Sequence, residues 1–196
     1  AVGAAALGAR VALIEKHLMG GDCLNFGCVP SKALIRAARA AADVRHAGQF
    51  AIDVPPEVKI DFRSVMQRVR RLRAELSLHD SAARLKELGV DVFLGAGRFT
   101  GRQTVEVGGR TLRFRKATIA TGARAAIPPI PGLAETGFLT NETVFNLTEM
   151  PPRFAFLGAG PIGCELAQAF ARLGCQVHLL QSAAGILTRE DRDAAA

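Results

Sequence analysis

The chain has 196 residues, 49% hydrophobic and 22% charged, with 20 glycines, 4 cysteines and neither Trp nor Tyr. Its apolar content excludes disorder as the dominant state, its aperiodic glycines exclude a collagen-like chain, and its few cysteines exclude a disulfide scaffold. The balance of 25 basic against 18 acidic residues gives +7 and raises a nucleic-acid reading, against which the lack of Trp and Tyr leaves few rings for bases to stack on.

The apolar opening from Ala1 to Ala9 stops at Arg10, short of the roughly 18 residues a membrane span needs, and it lacks the basic start of a leader peptide. The chain begins without Met and ends in Asp193 and three alanines, so it reads as a fragment cut at both ends. The first residues predict the tail of an Ala-rich helix closed by Gly8, then a strand from Val11 to Ile14 ending at Glu15. A helix-to-strand step with an acid at the strand's end is the second half of a βαβ unit.

Composition predicts a helix from Ser31 to about Ala42 and a turn at Pro55-Pro56. Phe62, Val65, Met66, Val69, Leu72 and Leu76 recur at the spacing of one helical face, behind a cap at Asp61. That places Arg63, Arg68, Arg70, Arg71 and Arg73 on a solvated face rather than in a nucleic-acid site. A second helix begins near Ser81 and closes at Gly89.

Strands are predicted at Val90 to Leu94, Thr104 to Val107, Thr111 to Phe114 after Gly108-Gly109, and Ala117 to Ala120 running into Thr121-Gly122. Residues 123 to 152, rich in Pro and Gly, read as a connection between domains. A second βαβ pattern follows: a strand from Arg153 to Leu157, a glycine turn, a helix from Ile162 to Leu173 closed by Gly174, and a strand from Val177 to Leu180.

The glycine turn carries Gly158-Ala159-Gly160-Pro161-Ile162-Gly163, a G-x-G-x-x-G between strand and helix. Gly158 permits the tight turn, Gly160 lets the backbone approach a pyrophosphate, and Gly163 lets helix and strand pack closely. The helix N-terminus adds N–H donors and positive partial charge, so a dinucleotide site is expected here. At the end of the next strand, where an acid would hold a ribose 2′-OH, stands Gln181, with no Arg in the run Gln181 to Ala184 to take a 2′-phosphate. The choice between NADH and NADPH is therefore open.

The stretch Gly20-Gly21-Asp22-Cys23-Leu24-Asn25-Phe26-Gly27-Cys28-Val29-Pro30-Ser31-Lys32 carries two cysteines five positions apart. On a regular helix their Cα atoms would lie roughly 8.6 Å apart, beyond the ~7 Å reach of a disulfide. A bridge would demand a distorted turn, which Gly27 and Pro30 would allow, and would be strained and reducible. Cys164 and Cys175 form no ligand pattern with a His, so no metal site is expected and both read as small buried residues. His17, His46, His79 and His178 are scattered and carry no assigned role.

The stretch GGDCLNFGCVPSK resembles the redox-active disulfide motif of the class I flavoprotein disulfide reductases, the pyridine nucleotide-disulfide oxidoreductases. Thr118-Ile119-Ala120-Thr121-Gly122 is similar to that family's late FAD contact, and the G-x-G-x-x-G followed by Cys164-Glu165 stands in the right order. Asp22, Phe26 and the segment from Thr140 to Phe170 are most similar to mercuric-reductase-like members, with dihydrolipoamide dehydrogenase or another thiol reductase as the alternative. A non-catalytic nucleic-acid-binding module on a Rossmann scaffold is a distant third reading.

The resemblance implies an α/β fold: a Rossmann-like FAD-binding domain over residues 1–148 and the first half of a Rossmann-like NAD(P)-binding domain over residues 149–196. It implies FAD and NAD(P)H as cofactors and a redox-active disulfide between Cys23 and Cys28. Cys28 would be the thiol nearest the flavin and Cys23 the interchange thiol that meets a small-molecule or metal-ion substrate. Glu15 would bind the adenosine ribose of FAD, Gly20 and Gly21 would pass close to its phosphates, Gly97 would contact adenine, and Thr121 and Gly122 would close over the cofactor. Lys32 would pair with Glu165 beside the flavin ring, although on its own each reads as a surface charge. Gly158, Gly160, Pro161, Ile162, Gly163 and Gln181 would hold the nicotinamide cofactor. The parent enzyme is expected to be a cytoplasmic homodimer without membrane or nucleic-acid partners. The first glycine loop would lie before Ala1 and the catalytic His and dimer contacts beyond Ala196, so the 196 residues alone are expected to bind FAD poorly and to turn over nothing.

Overall fold

The computed structural model describes residues 1–55 and 57–195. Pro56, half of the expected Pro55-Pro56 turn, and Ala196 lie outside the described residues. In chain order the elements are α1 (Val2–Ala6), β1 (Val11–Glu15), α2 (Gly21–Phe26), α3 (Cys28–Arg45), α4 (Phe62–Ser77), α5 (Ala82–Glu87) and β2 (Val90–Leu94). There follow β3 (Arg98–Gly101), β4 (Thr104–Val107), β5 (Arg110–Arg113), β6 (Arg153–Leu157), α6 (Pro161–Leu173), β7 (Gln176–Leu180) and α7 (Arg192–Ala195). The chain packs as two compact units, one of residues 1–25 and 73–138, the other of residues 26–72 and 139–196. No helix among the described residues is long and apolar enough to cross a membrane.

In the first unit β1 and β2 pair in parallel, from Val11 opposite Val90 to Glu15 opposite Leu94. The Gly95 N–H extends the pairing by donating to the Glu15 carbonyl at 2.8 Å. Ser81 caps α5 by accepting from the Arg84 N–H at 3.2 Å, as its position before the helix predicts. β3, β4 and β5 form an antiparallel meander. β3 was not legible because its four residues are all exposed and carry no alternation, and β5 lies one residue earlier than expected.

The strand expected at Ala117 to Ala120 is absent. β1 and β2 pair only with each other among the described residues, and residues 117–120 are exposed, Ile119 by 72%. A short apolar run becomes a strand only when a neighbour accepts its backbone groups.

The second unit is built around one core. Leu34 and Ala38 of α3, Phe62, Met66 and Val69 of α4, and Leu166, Ala169, Phe170 and Leu173 of α6 are all buried in it. Phe170 sits at its centre, edge-on to Phe154 of β6 at 5.1 Å and tilted against Phe62 at 5.9 Å. Such rings add about 0.5–1.5 kcal/mol per pair beyond their area. β6 and β7 pair in parallel, Arg153 opposite Gln176 through Leu157 opposite Leu180.

The helical face expected on α4 is buried at Phe62, Met66 and Val69, and Asp61 caps it, accepting from the Ser64 N–H at 3.1 Å and hydroxyl at 2.6 Å. One expectation for this region is corrected: Leu76 is 44% exposed. The arginines keep to a solvated face, Arg63, Arg68 and Arg71 exposed and Arg70 and Arg73 half-buried, and several of them make contacts from it. Arg68 donates to the Ala33 carbonyl and Arg70 to the Leu147 carbonyl, both at 3.3 Å, and Arg63 pairs with Glu149 at 3.2 Å. The connection read at residues 123–152 is corrected as well: Val144 and Phe145 are each only 3% exposed and belong to the core of the second unit.

Candidate functional site

α2 and α3 follow one another with only Gly27 between them. At Gly27 the backbone takes φ −128° and ψ −112°, which stops the helical ladder that would otherwise run through both cysteines. Cys23 is the third residue of α2 and Cys28 the first of α3; both are exposed thiols. The helical ladder is thus interrupted between the two cysteines that the resemblance pairs, at Gly27, one of the two residues from which the sequence expects it. Pro30 is buried in the first turn of α3, where its missing N–H costs nothing.

Lys32, one turn into α3, meets Glu165 of α6. Its Nζ donates to Oε1 at 2.7 Å and to Oε2 at 2.6 Å, across 133 residues of sequence. The side chains are 59% and 41% exposed. An ion pair so open to water stabilises a fold by only about 0–1 kcal/mol, so packing alone does not account for it.

At the glycine turn, Gly158 takes φ +103°, a left-handed conformation that a side chain would strain. Gly163 lies so close to the Gly158 carbonyl that a Cβ there would collide with it, which is the tight helix-to-strand packing its position predicts. Around Gly160, by contrast, a Cβ would meet nothing within 4 Å. Pro161 opens α6, and both Pro161 and Ile162 are exposed. Open space above two glycines at the start of a 13-residue helix fits a dinucleotide pyrophosphate. Gln181 does not stand apart at the strand's end: its Oε1 accepts from the Ala159 N–H at 3.3 Å, and the Leu187 N–H donates to the Ala159 carbonyl at 2.8 Å. Pro161, Cys164, Glu165, Leu187 and Glu190 line a cleft of about 400 Å³ beside this turn.

The residues expected around FAD lie in the first unit. Glu15 is half-buried at the end of β1, and its Oε1 accepts from the His17 N–H at 2.8 Å. Gly20 takes φ +94°, and any side chain on it would run into Leu24. Gly21 opens α2. Gly97 packs on β1, where a Cβ would lie 3.2 Å from Cγ2 of Ile14. Thr121 is exposed, and Gly122 lies against Asp22, whose Oδ2 would be 2.5 Å from a Cβ on that glycine. The structure therefore brings the Thr121-Gly122 segment to the start of the cysteine motif. A half-buried carboxylate at a strand end and glycines that let backbone pass closely fit an adenosine and its phosphates.

Of the remaining thiols, Cys175 is buried, which pushes its pKa up and keeps it an inert thiol. Cys164 is half-buried and donates weakly to the Ala159 carbonyl at 3.4 Å. Sequence reasoning passed over Asn25 and Arg73. Asn25 is 8% exposed inside the cysteine motif, and its carbonyl accepts from Arg73 Nη1 at 3.3 Å. A polar residue between Leu24 and Phe26 was the available signal for Asn25; nothing in sequence points to Arg73 as its partner.

The family model described as pyridine nucleotide-disulphide oxidoreductase matches residues 1–196. A dihydrolipoyl dehydrogenase from Acholeplasma laidlawii is 34% identical over 98% of the chain and 58% of that protein. A mercuric reductase from Bacillus cereus is 34% identical over 97% of the chain and 30% of that protein. The solved structure of RclA, an HOCl-induced flavoprotein disulfide reductase from Escherichia coli, superposes with a TM-score of 0.83 at 34% identity, over all of the chain and 42% of RclA. The chain thus spans about three to six tenths of these relatives. Flavoprotein disulfide reductases use FAD and NAD(P)H.

Proposed function

Because this chain belongs to the pyridine nucleotide-disulphide oxidoreductase family, we propose that it carries the dithiol–disulfide centre and nucleotide-binding segments of an FAD-dependent enzyme that moves electrons from NAD(P)H to a substrate. Residues 1–148 belong to its FAD-binding domain and residues 149–196 begin its NAD(P)-binding domain. The enzyme works in the cytoplasm as a homodimer.

FAD, when bound, relays the two electrons of a nicotinamide hydride to the cysteine pair. Cys28 is the thiol nearest the flavin and Cys23 the one that meets the substrate. A thiolate is the attacking species in exchange, so one sulfur must stay reachable while its partner closes the bridge behind it. Closing that bridge releases two electrons and two protons from the dithiol, and the substrate takes the electrons. Lys32 brings a cation beside the flavin ring, and Glu165 holds its ammonium in place. Gly158, Gly160, Pro161, Ile162 and Gly163 seat the nicotinamide cofactor's pyrophosphate, with Gln181 on the ribose side. Glu15, Gly20, Gly21, Gly97, Thr121 and Gly122 hold FAD.

The observation that carries this reading is the break at Gly27 between two exposed thiols five positions apart. For substrate, we place the chain with the mercuric reductases, whose soft Hg(II) ion suits thiolate ligands. A dithiol or disulfide of the lipoyl kind is the second reading, favoured by the match to 58% of the Acholeplasma laidlawii enzyme. The product of the complete gene, titrated anaerobically with NADPH or NADH, should develop a long-wavelength thiolate-to-flavin band, and Cys28→Ser should abolish it. A band that survives the substitution reverses the assignment of the two sulfurs. NAD(P)H oxidation driven by Hg(II) but not by lipoamide selects the first substrate, and the converse selects the second.

A further inference from the structure

Among the described residues, Ala51 at +56° and Leu187 at +51° take a left-handed φ without being glycine. A branched side chain in that region is strained, and it stays there only where its surroundings hold it. Around Leu187 the hold is visible. Its N–H donates to the Ala159 carbonyl at 2.8 Å, and its own carbonyl accepts from the Glu190 N–H at 2.8 Å. The Cys164 thiol donates to the same Ala159 oxygen at 3.4 Å, and Ala159 is fully buried. The chain after β7 therefore folds back onto the middle of the glycine turn.

The Ala159 carbonyl and the Gly160 N–H belong to one planar peptide unit, trans because the described chain has no cis bond. Fixing one therefore fixes the other, which points the opposite way. With the carbonyl turned toward Leu187, the N–H lies on the far side. Gly160 is exposed there, a Cβ on it would meet nothing within 4 Å, and nothing among the described residues accepts its N–H. A peptide that precedes a glycine is easily turned over, because glycine accepts φ of either sign. Turned over, this unit would show a pyrophosphate the Ala159 oxygen, negative facing negative, in place of a donor. The Leu187 N–H selects the arrangement with the donor outward, and affinity falls with the fraction of molecules that hold it.

We propose that Leu187 is a positioning residue for the nicotinamide cofactor: its backbone N–H, aimed by a strained left-handed turn, holds the Ala159–Gly160 peptide so that the Gly160 N–H meets the pyrophosphate. This rests on the reading of residues 158–163 as the dinucleotide turn. The acting group is the main-chain donor, so glycine, which takes a positive φ without strain, keeps it in place. Proline does not, since it lacks the N–H and its ring holds φ near about −65°.

The test titrates ADP-ribose, which carries the pyrophosphate shared by NADH and NADPH, into the FAD-loaded product of the complete gene and reads Kd by calorimetry, with no turnover involved. Far-UV circular dichroism checks that each variant is folded. Leu187→Pro should raise Kd about tenfold, the factor that one net hydrogen bond makes, and Leu187→Gly should rescue it to within about threefold of wild type. A Kd for Leu187→Pro less than threefold above that of Leu187→Gly overturns the proposal, because the N–H would then be idle. Should Leu187→Pro fail to fold, the Leu187 amide is exchanged for an ester, which deletes the same hydrogen and keeps the side chain. A Kd raised threefold or more over wild type then supports the proposal, and a smaller rise overturns it. A wild-type protein that takes up no ADP-ribose would instead sink the reading of residues 158–163 as a dinucleotide turn, so the two failures are distinct.

Discussion

Lys32 and Glu165 meet at 2.6 Å while both side chains stay largely in water. Lys32→Gln and Glu165→Gln should each change the urea midpoint by the equivalent of less than about 1 kcal/mol. In the proposed enzyme both should slow reduction by NAD(P)H, because the cation would be lost or left unheld. Stopped-flow reduction beside urea unfolding checks this; a large loss of stability with unchanged reduction would make the pair a structural one. At this scale the sequence was informative wherever a residue's chemistry follows from its neighbours in the chain. Gly27 as the break between cysteines, Gly158 as a left-handed turn and Asp61 as a cap are of that kind. Lys32 with Glu165 came only from the family resemblance, since a pair 133 residues apart leaves no local trace. Asn25 with Arg73 was missed for the same reason, as was the contact of Gln181 with Ala159, whose partner lies across a strand and a helix.

Among the elements, α4 shows best how a helix is specified and where specification ends. Its cap depends on charge: hydrogen bonds from the Ser64 hydroxyl and N–H hold the Asp61 carboxyl below its ordinary value of 3.8. A group whose folded pKa is depressed stabilises the fold above its unfolded pKa and loses that contribution as pH falls through the folded value. Asp61→Ala should therefore be less stable than wild type at neutral pH, and the difference should shrink as pH drops below about 3.8. Urea midpoints of both proteins from pH 7 to pH 2.5 measure this; a difference independent of pH would assign the cap to the backbone alone. The periodic face of α4 was legible because Phe62, Met66 and Val69 recur at helical spacing and are buried as that spacing requires. The solvated face of its arginines was legible too, but not the partners of Arg68 and Arg70, the carbonyls of Ala33 and Leu147, which only folding brings near. Residues 117–120 were misread, since strand propensity without a neighbouring strand leaves an extended, exposed segment.

For the molecule as a whole, the α/β class could be read from alternating helix and strand patterns, but the two compact units could not. Each is assembled from two separate stretches, with cuts at 25/26, 72/73 and 138/139. Local composition has no means of announcing that residues 26–72 pack with residues 139–196. Residues 115–130, beyond β5, are exposed and without regular structure, and they include Arg115 and Lys116. Limited trypsinolysis should cut after one of these before it cuts at Arg36 or Arg39 within α3, because a protease needs an extended, unpaired backbone. Mass analysis of the earliest fragments tests the order, and first cleavage inside α3 would contradict it.

The net +7 of the molecule gives no measure of how an anion would be held at the glycine turn. There the Gly158 N–H is taken by the Leu180 carbonyl, the Ala159 N–H by Gln181, and Pro161 has none to give. A phosphate seated at that turn is left with the amides of Gly160, Ile162 and Gly163. Those amides open a 13-residue helix, so their dipoles all point the same way, toward the place a phosphate would take.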